Sequence, residues 1–260
     1  MIEKILEPYI SERFMSDARY RKGHIRIINP LPGTSVLGLH IPDMRKIAAR
    51  LASEEEQGGE LIGQFEAAPE RSLHYEEYMV WGMMLNRIKL PLEERLERVR
   101  AFVPHIDNWA VCDCVCADAR WARPDGRTWD FIRPYLSSGR EFEVRFGLIL
   151  YMSRMMEESS LPEIFKIMES IDLEHIHSDY RQGKVSKDSG DLCPGLTAGR
   201  PPYYVRMGMA WLMATALAKH PDTTRSLLAH TRLPEDVLRL YVRKARESFR
   251  TRDIPPFQTI

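Results

Sequence analysis

The densest chemistry in the chain sits at Asp107-Asn108-Trp109-Ala110-Val111-Cys112-Asp113. On a helix, Trp109 and Asp113 stand four positions apart and share a face, which sets an indole beside a carboxylate. Such a pair suits a cation. A carboxylate stabilises positive charge developing on a sugar, as in the oxocarbenium-like transition states of glycoside cleavage, and an aromatic face adds cation–π attraction. The plain alternative is that Asp107 or Asn108 caps the helix, Trp109 fills core and Asp113 is a solvated or hydrogen-bonded acid. Glu141-Phe142-Glu143-Val144-Arg145-Phe146-Gly147 places an arginine inside an apolar helix, flanked by Phe142, Phe146 and Ile149. An unpaired buried guanidinium is costly, so Arg145 requires a carboxylate or a phosphate, unless it closes an internal ion pair or snorkels to the surface. Tyr203-Tyr204-Val205-Arg206-Met207-Gly208-Met209-Ala210-Trp211 opens a third helix. Tyr204, Met207 and Trp211 fall on one face of it, a pattern more often core than site, and Arg206 points elsewhere on the wheel.

Helices must hold all of these residues, and helical periodicity dominates the sequence. No sustained alternating run rich in Val, Ile and Thr is bounded by Asn-Gly or Asp-Gly. The helices come in pairs. Pro91 opens an amphipathic stretch with Leu92, Leu96, Val99 and Phe102 on one stripe; Pro104 ends it, and a second stretch runs from near Asp107 to about Trp121. The same grammar predicts helices over 128–136, 141–156, 161–171 and 202–219, with 43–52 and 75–88 upstream and 222–229 and 234–249 downstream. Short amphipathic helices joined by proline or glycine turns cannot each bury their own face, so they stack on their neighbours. The expected fold is all-α, a solenoid of seven to ten helices in stacked antiparallel pairs. The 36-residue step from Trp109 to Arg145 is close to the period of a two-helix repeat. Residues 23–42, with Pro30, Pro32, Gly33 and Gly38, read as an irregular connector, and residues 175–202, polar and poor in apolar side chains, as an inserted loop. Around these, residues 1–260 are expected to form a single solenoid domain.

At 260 residues, 44% apolar and 28% charged, the composition is that of a globular protein and excludes a disordered or collagen-like chain. No apolar run approaches the roughly 18 to 20 residues that span a bilayer, and residues 1–12 lack the pattern of a signal peptide, so a cytoplasmic location is expected. Basic and acidic residues balance at 37 each. With no global positive field to draw the chain toward phosphates, any nucleic-acid role must rest on a local patch. The C-terminal run Arg239, Arg243, Lys244, Arg246, Arg250 and Arg252 is either such a patch or a solvated helix face. Cys112, Cys114 and Cys116 alternate around a helix, so they cannot form three legs of one tetrahedral metal site and read as small buried side chains. His175 and His177, with Asp179 and Asp191 nearby, lack a ligand pair at metal spacing, and the glycines match neither a phosphate loop nor a dinucleotide fingerprint.

Taken together, Asn-Trp-x-x-x-Asp, Glu-Phe-x-x-Arg-Phe, Tyr-Tyr-Val-x-Met-x-x-Ala-Trp and Lys244-Ala245-Arg246-Glu247-Ser248, in that order, resemble the DNA alkylation repair glycosylases of the AlkD type. The likeness extends upstream to Gly38-Leu39-His40-Ile41-Pro42-Asp43-Met44-Arg45-Lys46-Ile47-Ala48 and to the stretch Tyr75 to Leu85 with Glu76 and Glu77. It spans most of the chain, roughly Leu37 to Arg250, with the insertion excluded.

The resemblance implies HEAT-like repeats curved around a DNA duplex, and removal of positively charged N3- and N7-alkylated purines without flipping the lesion into a pocket. It implies that Trp109 and Trp211 are aromatic walls against the deoxyribose, that Asp113 stabilises the oxocarbenium ion and orients water, and that Arg145 holds a backbone phosphate. It implies no metal or organic cofactor, double-stranded DNA as partner, no membrane, and a monomer without an obligatory protein partner. The family's N-terminal aromatic contact has no equivalent that can be aligned through residues 23–42. The competing expectation is a HEAT-repeat protein of little or no activity that binds unusual DNA structures or a protein partner. Residues Trp109, Asp113, Arg145 and Trp211 favour the enzyme; neutral charge and the insertion favour the binder. For the enzyme, positive charge must line the concave face and acids the outer one.

Overall fold

A computed structural model of the chain describes residues 2–69, 72–183 and 194–257. They form two compact units, Met1–Trp121 with Asp179–Arg200, and Ala122–Ser178 with Pro201–Ile260.

The first unit carries α1 (Glu3–Leu6), α2 (Glu12–Ser16), α3 (Ala18–Ile28), α4 (Ile41–Ser53), α5 (Glu55–Glu66), α6 (Tyr75–Leu85), α7 (Leu92–Phe102) and α8 (Trp109–Asp118). Helix α4 packs on α6 and α6 on α8, while α5 lies against α4 and α6, and α7 against α6. The reason is legible in α6. Every one of its residues is buried, and a helix apolar on all sides must be covered on all sides. Trp81 at its middle stacks on Phe65 of α5, ring centroids 5.7 Å apart, and meets Phe102 of α7 edge-on at 5.0 Å. Helix α5 departs from the sequence expectation. Gly58, Gly59 and Gly63 weaken its intrinsic propensity, and burial of Leu61, Ile62 and Phe65 overrides them.

The connector is shorter than the expected 23–42. Helix α3 runs through Gly23 to Ile28, capped by Asp17, whose side chain accepts from the N–H groups of Arg19 and Tyr20. Asn29, at φ 50°, takes the left-handed conformation that ends it. Pro42 belongs to the first turn of α4, where a missing N–H removes no helical bond. The remaining stretch is pinned by Glu76 of α6, a fully buried carboxylate that accepts from the N–H groups of Leu37 (2.9 Å), Gly38 (2.7 Å) and Leu39 (3.3 Å). Burial pushes this acid upward, while the N–H donors pull the other way.

The insertion expected over 175–202 falls in part on residues 184–193, which lie outside the described residues. Arg181–Gln182 and Leu196–Thr197 pair as two short parallel strands, β1 and β2, a small departure from an all-helical chain.

The second unit holds α9 (Gly126–Leu136), α10 (Glu141–Leu150), α11 (Leu161–Ser170), α12 (Tyr203–Lys219), α13 (Pro221–Leu228) and α14 (Glu235–Glu247). Helix α10 packs on α9 and α12, α12 on α13 and α14, and α11 on α13. The stretch expected to be helical to residue 156 changes at Tyr151–Met155, which widens into a π turn. The buried Tyr151 hydroxyl meets Ser160 Oγ there at 2.7 Å.

Within each unit, then, alternate helices stack on one another: α4, α6 and α8 in the first, α10, α12 and α14 in the second. The chain is predominantly helical, with stacked helix pairs consistent with an α-solenoid. Fourteen α-helices stand among the described residues, and those beyond the expected seven to ten lie upstream of α6. No described helix is long and apolar enough to cross a membrane.

Candidate functional site

Trp109 and Asp113 lie on the accessible side of a helix whose other side is buried. In α8, Ala110, Val111, Cys112, Val115 and Cys116 are buried, and the residues left accessible include Trp109, Asp113 and Ala117, spaced i, i+4, i+8. The indole is half-buried rather than core. Asp113 lies one turn along the same stripe, so the geometry keeps an aromatic face and a carboxylate adjacent and accessible to solvent.

Three sets of contacts fix the direction of α8. At its start, Asn108 is the cap, its Oδ1 accepting from Ala110 N–H at 2.8 Å. The Asn108 Nδ2 donates to the carbonyls of Ile28 (2.9 Å) and Asn29 (3.4 Å) at the end of α3. The Tyr180 hydroxyl, from the insertion, donates to the carbonyls of Asn29 (2.7 Å) and Asp107 (3.2 Å). Asn29 in turn donates through Nδ2 to the Leu196 carbonyl at 2.9 Å and accepts from Gly195 N–H at 3.2 Å. The base of the insertion therefore braces the turn that aims Trp109. Along its middle, α8 lies against Gly82 of α6, where an added Cβ would stand 2.4 Å from Val115 Cγ2. At its far end, Asp118 pairs with Arg45 (3.2 Å) and Arg87 (3.0 Å).

The cysteines of α8 behave as the sequence suggests for small interior side chains. Cys112 and Cys116 are buried, and Cys114 is half-buried on the accessible side. Burial, with the nearby charges of Asp113 and Asp118 and against that of Arg45, pushes the Cys114 thiol up to about 11, far from a reactive thiolate.

In the second unit, Arg145 sits in a helix whose residues are buried except Glu143. Its side chain is interior at 3% exposure. Nη1 donates to the carbonyl of Tyr204 at 2.6 Å, and the guanidinium lies over the Tyr204 ring at 5.7 Å. Glu141, at the start of the same helix, accepts from Tyr204 N–H at 2.6 Å and from the Ser178 hydroxyl. Burial raises the Glu141 acid, opposed by Ser178, the Tyr204 N–H and the Arg145 charge. Together Glu141 and Arg145 hold both backbone groups of Tyr204 and so dock the first turn of α12. Internal pairing is what the structure provides for this arginine.

Trp211 lies two turns further along α12. Against the expectation that its face is core, the stripe Met207, Trp211, Thr215 and Ala218 is the open side of a helix buried almost everywhere else, and Trp211 is 39% exposed. Tyr204 separates from that stripe and is buried. Arg206, on the opposite side, reaches Asp236 at 2.9 Å and Glu174 at 3.3 Å and ties α12 to α14. Asn108 is the helix cap that the sequence offered, whereas Tyr180 and Glu141 are supports that sequence reasoning did not single out. Of these two only Glu141 carried a signal, as the first residue of the motif that contains Arg145.

The model of the DNA alkylation repair enzyme family matches residues 11–178, well over half of the chain, including Trp109, Asp113 and Arg145. The chain belongs to the DNA alkylation repair enzyme family. The family match ends before α12, so Trp211 stands outside it. No curated protein and no solved structure matches the chain. Family membership and a fold of stacked helices are consistent with a role in DNA repair. Among the described residues, no group of three or more His, Cys, Asp or Glu side chains is placed to hold a metal ion.

Proposed function

We propose that this DNA alkylation repair family member is a monofunctional DNA glycosylase of the AlkD type, on a HEAT-like scaffold. It hydrolyses the N-glycosidic bond of positively charged N3- and N7-alkylated purines in duplex DNA without base flipping, as a cytoplasmic monomer. The observation that carries the reading is the pairing of Trp109 and Asp113 on the accessible stripe of α8. A cationic purine is already a good leaving group, so no general acid is needed for it; what remains is charge stabilisation on the sugar and positioning of water. The Asp113 carboxylate opposes the charge developing at C1′ as the purine departs as a neutral base. Water oxygen then bonds to C1′, its proton passing to Asp113 or to solvent. Trp109 supplies an aromatic face that favours a cationic sugar, and Trp211 an exposed aromatic ring for contact with DNA. Arg145, expected on a phosphate, acts in this reading as a positioning residue, since its bond to Tyr204 holds the helix that presents Trp211.

Release of 7-methylguanine from methylated duplex DNA at low salt tests the proposal. Asp113→Asn is expected to fold normally and to lose about a hundred- to a thousandfold in rate. Normal turnover by that variant refutes the assignment. A second reading, a helical-repeat protein with little activity that binds unusual DNA or a protein partner, is favoured by the balance of 37 basic and 37 acidic residues. It predicts no base release from the parent protein.

A further inference from the structure

Beside Trp211, α12 and the end of α14 leave an open groove of about 430 Å³. Its floor is small, with Ala214, Thr215 and Ala218 from α12. Its rim is Trp211 on one side and Lys244, Glu247, Ser248, Phe249 and Arg250 on the other, two aromatic rings with two cations and one acid. Phe249 is 76% exposed, a large apolar ring held in water next to a second exposed aromatic. The charges are unevenly satisfied. Lys244 and Arg243 share the carboxylate of Glu247, at 3.0 and 3.5 Å, and Arg239 pairs with Glu235. The Arg250 guanidinium lies over the Phe249 ring at 5.6 Å and makes no ion pair among the described residues. A free cation beside two exposed rings matches a ligand that offers an anion and a flat or hydrophobic surface in one repeat, which is the make-up of a nucleotide.

We infer that this groove is a DNA-strand contact: Trp211 and Phe249 pack against the sugar side of a nucleotide that stays in the duplex, and Arg250 takes its phosphate. The inference rests on the proposed function in that it extends the contact made by Trp211, and it adds Phe249 and Arg250 as binding residues. It also divides the C-terminal basic run: Arg239, Arg243 and Lys244 are balanced by acids of their own helix and Arg252 by Asp253, and Arg250 is the groove's phosphate ligand.

Duplex binding, measured by fluorescence anisotropy over a range of salt concentrations with methylated duplex DNA, tests this without any need for turnover. Both target side chains are exposed, so Phe249→Ala and Arg250→Ala retain the fold. Arg250→Ala is expected to lower the slope of log affinity against log salt by about 0.9, the signature of one lost phosphate contact. Phe249→Ala is expected to weaken binding about fivefold, the loss of apolar contact with the sugar, with the salt slope unchanged. Arg133→Ala, which removes an exposed arginine paired with Glu163 outside the groove, sets the effect of net charge alone. If both groove variants match Arg133→Ala, the inference is overturned, whatever other molecule the groove holds. Asp113→Asn separates the two claims: undiminished base release by that variant refutes the glycosylase assignment and leaves the effects at Arg250 and Phe249 standing.

Discussion

Gly82 offers a sharp test of how the site helix is seated. It lies in the middle of α6, where glycine is intrinsically unfavourable, so alanine there would by propensity alone stabilise the chain by roughly 0.5–1 kcal/mol. Packing reverses the sign. A Cβ at position 82 would approach Val115 Cγ2 to 2.4 Å and Phe102 Cζ to 2.7 Å. Both contacts fall about an ångström inside the roughly 3.5–4.0 Å at which carbon atoms attract. Neither neighbour has room to retreat, since Phe102 is fully buried against Trp81 and Val115 is buried on the inner side of α8. Overpacking of this kind costs about 1–3 kcal/mol, so Gly82→Ala is expected to lose about 1–2 kcal/mol net. Gly59, in α5, has nothing within 4 Å of an added Cβ, and Gly59→Ala is expected to gain about 0.5–1 kcal/mol. Urea midpoints by far-ultraviolet circular dichroism read both. A Gly82→Ala protein as stable as the parent, or one that shifts in the same direction as Gly59→Ala, refutes the close approach of α6 and α8.

Two further outcomes follow from the supports of the site. Asn108→Asp keeps the acceptor for Ala110 N–H but turns a second oxygen toward the carbonyls of Ile28 and Asn29; a loss of about 2 kcal/mol in the same denaturation assay, with reduced base release, is expected. Glu141, its acid raised mainly by burial, holds a proton in the folded chain over a range where the unfolded chain has released it. Its contribution is therefore fully present below the ordinary glutamate range and is lost as pH rises through the raised value. Glu141→Gln is expected to flatten that decline, and a parent and variant with parallel pH profiles contradict it.

Much of this molecule was legible in residue order. Proline and glycine punctuation with 3.6-residue periodicity placed the helices from α6 onward to within a few residues, because turn chemistry is local. The i, i+4 spacing of Trp109 and Asp113 put them on one face for the same reason. Helix α5 was hidden because its glycines argue against a helix and only the packing of Leu61, Ile62 and Phe65 against neighbours outweighs them. The extent of the connector was hidden because Asn29 ends α3 through a backbone conformation that its identity permits but does not demand.

Which side of each site helix meets solvent was a tertiary decision. Periodicity assigns Trp211 and Tyr204 to one apolar face, yet Glu141 and Arg145 draw Tyr204 inward through its backbone while Trp211 stays on the open stripe. An aromatic side chain is equally suited to a core and to a ligand, so its type cannot say which it serves; only the neighbours that cover it, or leave it uncovered, can. The same holds for charge. The sequence by itself determined that basic and acidic residues cancel overall, and the fold decided which cations are spent on acids of their own helix and which, like Arg250, remain available, because pairing depends on distances of a few ångströms that no composition contains.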